Sequence, residues 1–139
     1  MPDTQVLLCF DFGLRHIGVA VGQTLTNTAQ ALTSLPAQHG VPRWEMIDKL
    51  IATWRPNAFV VGIPYNMDGT EQPLTQAARS FAEQLKQHYQ LPIYYMDERL
   101  STVEAREHLF KQGGYKALQK KSIDSLSAQL ILESWLRTH

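Results

Sequence analysis

A second cysteine is missing from this chain, and Cys9 alone cannot close an internal disulfide. That excludes a disulfide-stapled secreted scaffold and points to a reducing compartment. An excess of charge is missing too: thirteen basic residues balance thirteen acidic ones. Any polyanion must therefore be gripped by a local arrangement of charge rather than by a protein-wide positive field. No apolar run approaches the roughly 20 residues that span a bilayer, and no repeat or low-complexity tract is visible. The Met-Pro-Asp-Thr-Gln start has neither the positive flank nor the apolar stretch of a secretory signal. The expectation is a cytoplasmic protein with no membrane partner. The five histidines lie apart from one another and from Cys9, so the ligand spacing of a zinc site is absent as well.

What is present suits one globular domain spanning 1–139. The chain has 139 residues, 44% of them hydrophobic and 19% charged, enough for a core and too few for a second domain. Gln5 to Phe12 is apolar on both faces and ends at Gly13; Ile17 to Val21 is a second such run, closed by Gly22. The four-residue link Gly13-Leu14-Arg15-His16 predicts an antiparallel pair, with Ala29 to Leu35 as a third strand of a β-meander. Pro42 opens a helical pattern through Met46, Ile47, Leu50, Ile51 and Trp54, which Pro56 stops. Ala58 to Val61 reads as a strand. Thr70 is a candidate cap for a helix whose apolar face is Leu74, Ala77, Ala78, Phe81, Ala82 and Leu85, with Pro73 in its first turn. Leu91 to Met96 reads as another strand. Ser101 and Glu104 have capping-box spacing, Gly113-Gly114 breaks the helix they start, and a last helix runs from Ser122, its cap, to Leu136. These elements predict an α/β fold: a mixed five-stranded sheet with an antiparallel β-meander and helices on both faces.

Three acidic signatures stand where strands end or helices begin: Asp11 in Cys-Phe-Asp-Phe-Gly, Asp97-Glu98-Arg99, and Asp124 in Ser-Ile-Asp-Ser-Leu. Each has a bland reading. Asp11 suits a turn before Gly13, and the other two suit the dipole at a helix start. Asp11, however, follows Leu7, Leu8, Cys9 and Phe10, and a buried charge there needs a partner. Asp124 shares a helical face with Ala128, Ile131 and Trp135, so it looks inward. Of Asp97 and Glu98 only one can enter a site, because successive strand residues point to opposite faces. Converging carboxylates repel unless a hard cation neutralises them, and Mg²⁺ or Mn²⁺ held that way hydrolyses phosphodiesters. Asp11 is the candidate bridging ligand, with either Asp97 or Glu98, and Asp124, completing the set.

Between Glu107 and Asp124 the chain carries no acid, only Lys111, Lys116, Lys120 and Lys121 around Gly113-Gly114-Tyr115. Either this is a solvated loop, or the lysines grip backbone phosphates while Tyr115 stacks on an unpaired base. Arg15 and Arg99 are further candidates for phosphate contact, or they offset the neighbouring acids.

The stretches Asp-Phe-Gly-Leu-Arg-His-Ile-Gly-Val-Ala-Val-Gly, Val-Val-Gly-Ile-Pro-Tyr-Asn-Met-Asp-Gly-Thr-Glu, Met-Asp-Glu-Arg-Leu-Ser-Thr and Lys-Lys-Ser-Ile-Asp-Ser-Leu-Ser-Ala-Gln-Leu-Ile-Leu-Glu resemble, in order, the motifs of the YqgF (RuvX) family. That family is similar to the resolvase RuvC in having an RNase H-like fold and is described as a nuclease maturing the 5′ end of pre-16S rRNA. The resemblance implies Asp11, Glu98 and Asp124 as catalytic and metal-binding acids. It favours Glu98 over Asp97; the fourth carboxylate of many RNase H-like nucleases has no counterpart here unless Asp97 supplies it. Ser125 and Ser127 make the last motif more polar than the family's Ala-rich helix. The implied partners are pre-16S rRNA or branched DNA, with ribosomal association, and the enzyme is a monomer or a homodimer.

Three rivals remain open at this point. A sugar-kinase or actin-like ATPase shares the Asp11-Phe-Gly hairpin but needs two such domains. A non-catalytic RNA-binding assembly factor would keep the fold without turnover. A Holliday junction resolvase would use the same metals on branched DNA, as a dimer.

Overall fold

The computed structural model of the chain describes residues 5–100 and 123–139. The expected caps at Ser101 and Ser122, the Gly113-Gly114 break, and Lys111, Tyr115, Lys116, Lys120 and Lys121 lie outside the described residues.

Strand β1 (Val6–Asp11) is the hub of the sheet, because Leu7 to Phe10 are fully buried and must be covered on both faces. It pairs antiparallel with β2 (His16–Gln23), which pairs antiparallel with β3 (Thr28–Gln38). On its other side β1 runs parallel to β5 (Ala58–Ile63), which runs parallel to β6 (Ile93–Asp97). A two-residue strand β4 (Val41–Pro42) adds a sixth, giving the order β4-β3-β2-β1-β5-β6.

Period-two alternation along β1 divides the core. Leu8, Phe10 and Phe12 face helices α1 (Trp44–Trp54) and α2 (Pro73–Tyr89), meeting Ile47, Ala78, Phe81 and Leu85. Leu7 and Cys9 face the last helix, α3 (Ile123–Thr138), with Ala128, Ile131, Leu132 and Trp135. Helices therefore cover both faces, as expected.

Two helix starts differ from the expected ones. Helix α1 begins at Trp44, because Val41 and Pro42 are taken up by a hairpin with Ala37 and Gln38. The turn residues of that hairpin, His39 and Gly40, both have positive φ, 50° and 82°, the geometry a two-residue hairpin requires. Helix α2 is capped by Gln72, not Thr70: Pro73 occupies the first helical position, where its missing N–H costs nothing. The Thr75 hydroxyl accepts from the Gln72 N–H at 3.0 Å and donates to the Pro64 carbonyl, tying the β5 exit to the helix. Thr70 instead bonds Asp68 Oδ1 through its N–H, inside the preceding turn. Helix α1 ends where Arg55 turns left-handed before Pro56.

Candidate active site

One lateral row of the sheet organises the acids. Asp11 on β1 is flanked by Gly18 on β2 and Gly62 on β5; beyond them lie Ser34 on β3 and Met96 on β6. Laterally paired residues project from the same face, and Met96 packs in the core beneath α3, so the whole row faces that helix.

The two glycines leave space that the other acids use. A Cβ at Gly62 would lie 2.9 Å from Glu98 Oε1 and 3.1 Å from Glu98 Cγ, so the Glu98 carboxyl rests over Gly62. At Gly18 a Cβ would overlap the Asp124 carbonyl, so the first turn of α3 rests directly on the strand. Both groups therefore rest over the two strands that flank β1 at Asp11. All three acids are half-buried. The Asp124 carboxylate accepts from Ser34 Oγ through Oδ2 at 3.3 Å. Among the described residues no three His, Cys, Asp or Glu side chains close into a ligand cage.

Charge on this face reaches Cys9, one alternation inward from Asp11. Burial pushes its thiol well above the ordinary value, and the Asp11 and Glu98 carboxylates push it further. A thiol so held stays protonated and is no nucleophile.

Asp97 takes a different part. Its carboxylate receives Arg99 Nη2 at 2.6 Å, Nε at 3.1 Å and the Arg99 N–H at 2.9 Å. The side-chain bond from Arg99 holds the Asp97 carboxyl below its usual range, against an opposing desolvation cost. Arg99 also lies over the Tyr65 ring at 5.4 Å, and Arg79 lies 5.8 Å from the same ring while donating to the Tyr65 hydroxyl. Arg79 is paired in turn with Glu71 at 3.0 Å. Arg15 is exposed in the β1–β2 turn.

The acidic signatures do not by themselves indicate Gly18, Gly62 or Ser34, which the structure adds to the candidate site. A signal existed for the glycines: each interrupts a buried strand, between Ile17 and Val19 and between Val61 and Ile63, and a glycine inside a strand marks close approach by another chain segment. Ser34 had no such signal.

A family model described as "RuvX: Holliday junction resolvase" matches residues 5–138. The chain belongs to the RuvX family. A Glaesserella parasuis protein named "Putative pre-16S rRNA nuclease" is 56% identical over 132 residues, covering 95% of this chain and 96% of its own. A Pectobacterium atrosepticum protein of the same name is 57% identical over 133 residues, 96% of each. Among solved structures, Thermus thermophilus RuvC in complex with a Holliday junction substrate is similar with a TM-score of 0.59 at 16% identity, over 96% of each chain. The fowlpox virus Holliday junction resolvase is similar with a TM-score of 0.58 at 11% identity, over 96% of this chain and 98% of its own. At these identities the structural likeness establishes the fold, and the RNase H-like architecture expected from the motifs is the one observed. This RuvX chain is thus a member of a nuclease family, a hydrolase of phosphodiester bonds.

Proposed function

We propose that this protein is a Mg²⁺- or Mn²⁺-dependent nuclease that processes the 5′ end of pre-16S rRNA, acting in the cytoplasm as a single nuclease domain, 1–139, on RNA of the assembling ribosome. The observation that carries the chemistry is the flanking of Asp11 by Gly18 and Gly62, which brings Glu98 and the first turn of α3 onto one row. The names of the 56–57% identical relatives support the substrate.

The donor set fits a hard cation. It consists of carboxylates without imidazole or thiolate, and Mg²⁺ prefers oxygen ligands while keeping several waters. Asp11, central in the row, would be the shared ligand, with Glu98 and Asp124 on either side. When bound, the cation supplies Lewis acidity to the phosphodiester and the attacking water.

The chain's own residues position that chemistry. Strands buried on both faces hold Asp11, and Glu98 Oε1 is buried over Gly62, where Ile131 from α3 also approaches. Arg99, oriented by Asp97 and Tyr65 at the C-terminal end of β6, presents a fixed guanidinium for a backbone phosphate. Arg15 offers a second cation from the β1–β2 turn, and Lys111, Tyr115, Lys116, Lys120 and Lys121 are assigned to grip the RNA strand.

The test is Mg²⁺- or Mn²⁺-dependent cleavage of labelled precursor RNA by wild type and Asp11→Asn. Activity should vanish in the variant while its circular dichroism spectrum is preserved. Full activity in excess chelator, or in the variant, would sink the metal mechanism. The family description makes branched DNA the second reading; a four-way junction cut in preference to the RNA would establish it.

A further inference from the structure

We propose that Ser34 is a positioning residue, orienting the Asp124 carboxylate to take a divalent cation; this rests on the metal-dependent reading above. Strand β3 is irregular. Val19 pairs with Thr33 but Ala20 pairs with Ala31, so Leu32 is passed over. Such a bulge shifts the phase of side-chain alternation by one residue. Residues 31 and 34 would otherwise face opposite ways. With the shift, both turn toward α3, and the Ser34 hydroxyl arrives on the row that carries Asp11.

There it donates to Asp124 Oδ2 at 3.3 Å, longer than the roughly 2.5–3.0 Å usual for a hydroxyl bond. A carboxylate accepts through two oxygens and about four lone pairs, so Ser34 fixes the orientation of the group and leaves Oδ1 for a cation. Asp11 and Glu98 lie on the far side of Asp124 from Ser34, and their charges repel its carboxylate. A donor on the β3 side is what holds that side chain in one rotamer against them.

The bond is not what docks the helix. Ala128, Ile131, Leu132 and Trp135 bury α3 against the sheet, and Gln129 Oε1 accepts from the Ala31 N–H at 3.0 Å. Removing the Ser34 hydroxyl therefore acts on the rotation of Asp124 and not on the placement of α3. Hydrogen-bonded supports of metal ligands change affinity by about 10–100-fold when removed.

The experiment titrates Mn²⁺ into the intact protein by calorimetry with no RNA present, alongside thermal unfolding and the Mn²⁺ dependence of cleavage. Ser34→Ala should weaken Mn²⁺ binding about 10-fold or more, raise the Mn²⁺ needed for half-maximal cleavage in parallel, and unfold near the wild-type temperature. Ser34→Thr should restore binding, whereas Ser34→Val, which has the shape of threonine without the hydroxyl, should not. Wild-type Mn²⁺ affinity in Ser34→Ala or Ser34→Val overturns the proposal. Asp11→Asn in the same titration separates the two levels: unchanged binding in that variant overturns both the metal site and Ser34's part in it. Weakened binding there with none in the Ser34 variants sinks the positioning role alone.

Discussion

Replacing Gly62 with alanine adds one methyl group at the point where Glu98 rests beside Asp11. That methyl would lie 2.8 Å from Ile131 Cδ1, 2.9 Å from Glu98 Oε1 and 3.1 Å from Glu98 Cγ, where ordinary contacts begin at 3.4 Å. The Glu98 carboxyl must therefore withdraw by about 0.5 Å or more, and a misplacement near 1 Å costs about 100-fold in rate. Overpacking costs about 1–3 kcal/mol, and removing a glycine from a strand returns about 0.5–1 kcal/mol. The net loss is thus between near zero and about 2.5 kcal/mol out of a typical 5–15 kcal/mol. The variant stays folded while its kcat/KM on precursor RNA falls roughly 10- to 100-fold. Gly22→Ala is the control. Its methyl would meet Leu132 Cδ2 at 2.7 Å and the Thr28 backbone carbonyl at 2.8 Å, a harder crowding under the same helix but four residues along β2 from Gly18. Thermal unfolding should register both variants, and cleavage only the first. Unimpaired cleavage by Gly62→Ala, or an equal loss in Gly22→Ala, would refute the argument that the bare glycine is what admits Glu98.

Two further outcomes follow from the electrostatics. The Asp97 carboxyl sits below its usual range in the folded state, so its contribution is complete above the unfolded value near pH 3.9 and is lost as pH falls through the folded one. The stability difference between wild type and Asp97→Asn, read from urea midpoints, should be largest at neutral pH and close toward pH 2; a difference constant across that range would contradict the assignment to Arg99. Cys9, buried and beside two carboxylates, should resist thiol reagents at pH 8 in the native protein and react fully in denaturant, and rapid native labelling would show that this face of the sheet opens.

How far the sequence reveals this arrangement depends on the kind of signal each residue leaves. Asp11 is legible because a charge among Leu7, Leu8, Cys9 and Phe10 violates the pattern around it, and Asp124 because it shares a face with core residues. The choice between Asp97 and Glu98 is not legible in the strand itself. Ile93, Tyr94 and Tyr95 are not buried and only Met96 is, so the alternation that would phase the pair is faint; Glu98 lies beyond the strand, and it is the reach of its side chain back over Gly62 that brings it to the candidate site. The two misplaced helix starts arose from competing local signals. Pro42 satisfies a short strand as well as a first turn, and Thr70 satisfies an Asp68 turn as well as a cap. Ser34 leaves no mark, since its orientation depends on a bulge that no residue type announces.

The row of Ser34, Gly18, Asp11, Gly62 and Met96 also imposes an order in time. Asp11 ends β1 and Glu98 directly follows β6, two strands joined through β5, but Asp124 arrives only with α3, and α3 is what buries Leu7, Cys9, Ala20 and Val60. A chain emerging N-terminus first must expose that apolar face until α3 is made. Long-range contacts of this kind form late. Asp124 therefore joins Asp11 and Glu98 only at the last docking step of folding, and an immature chain holds the candidate site incomplete.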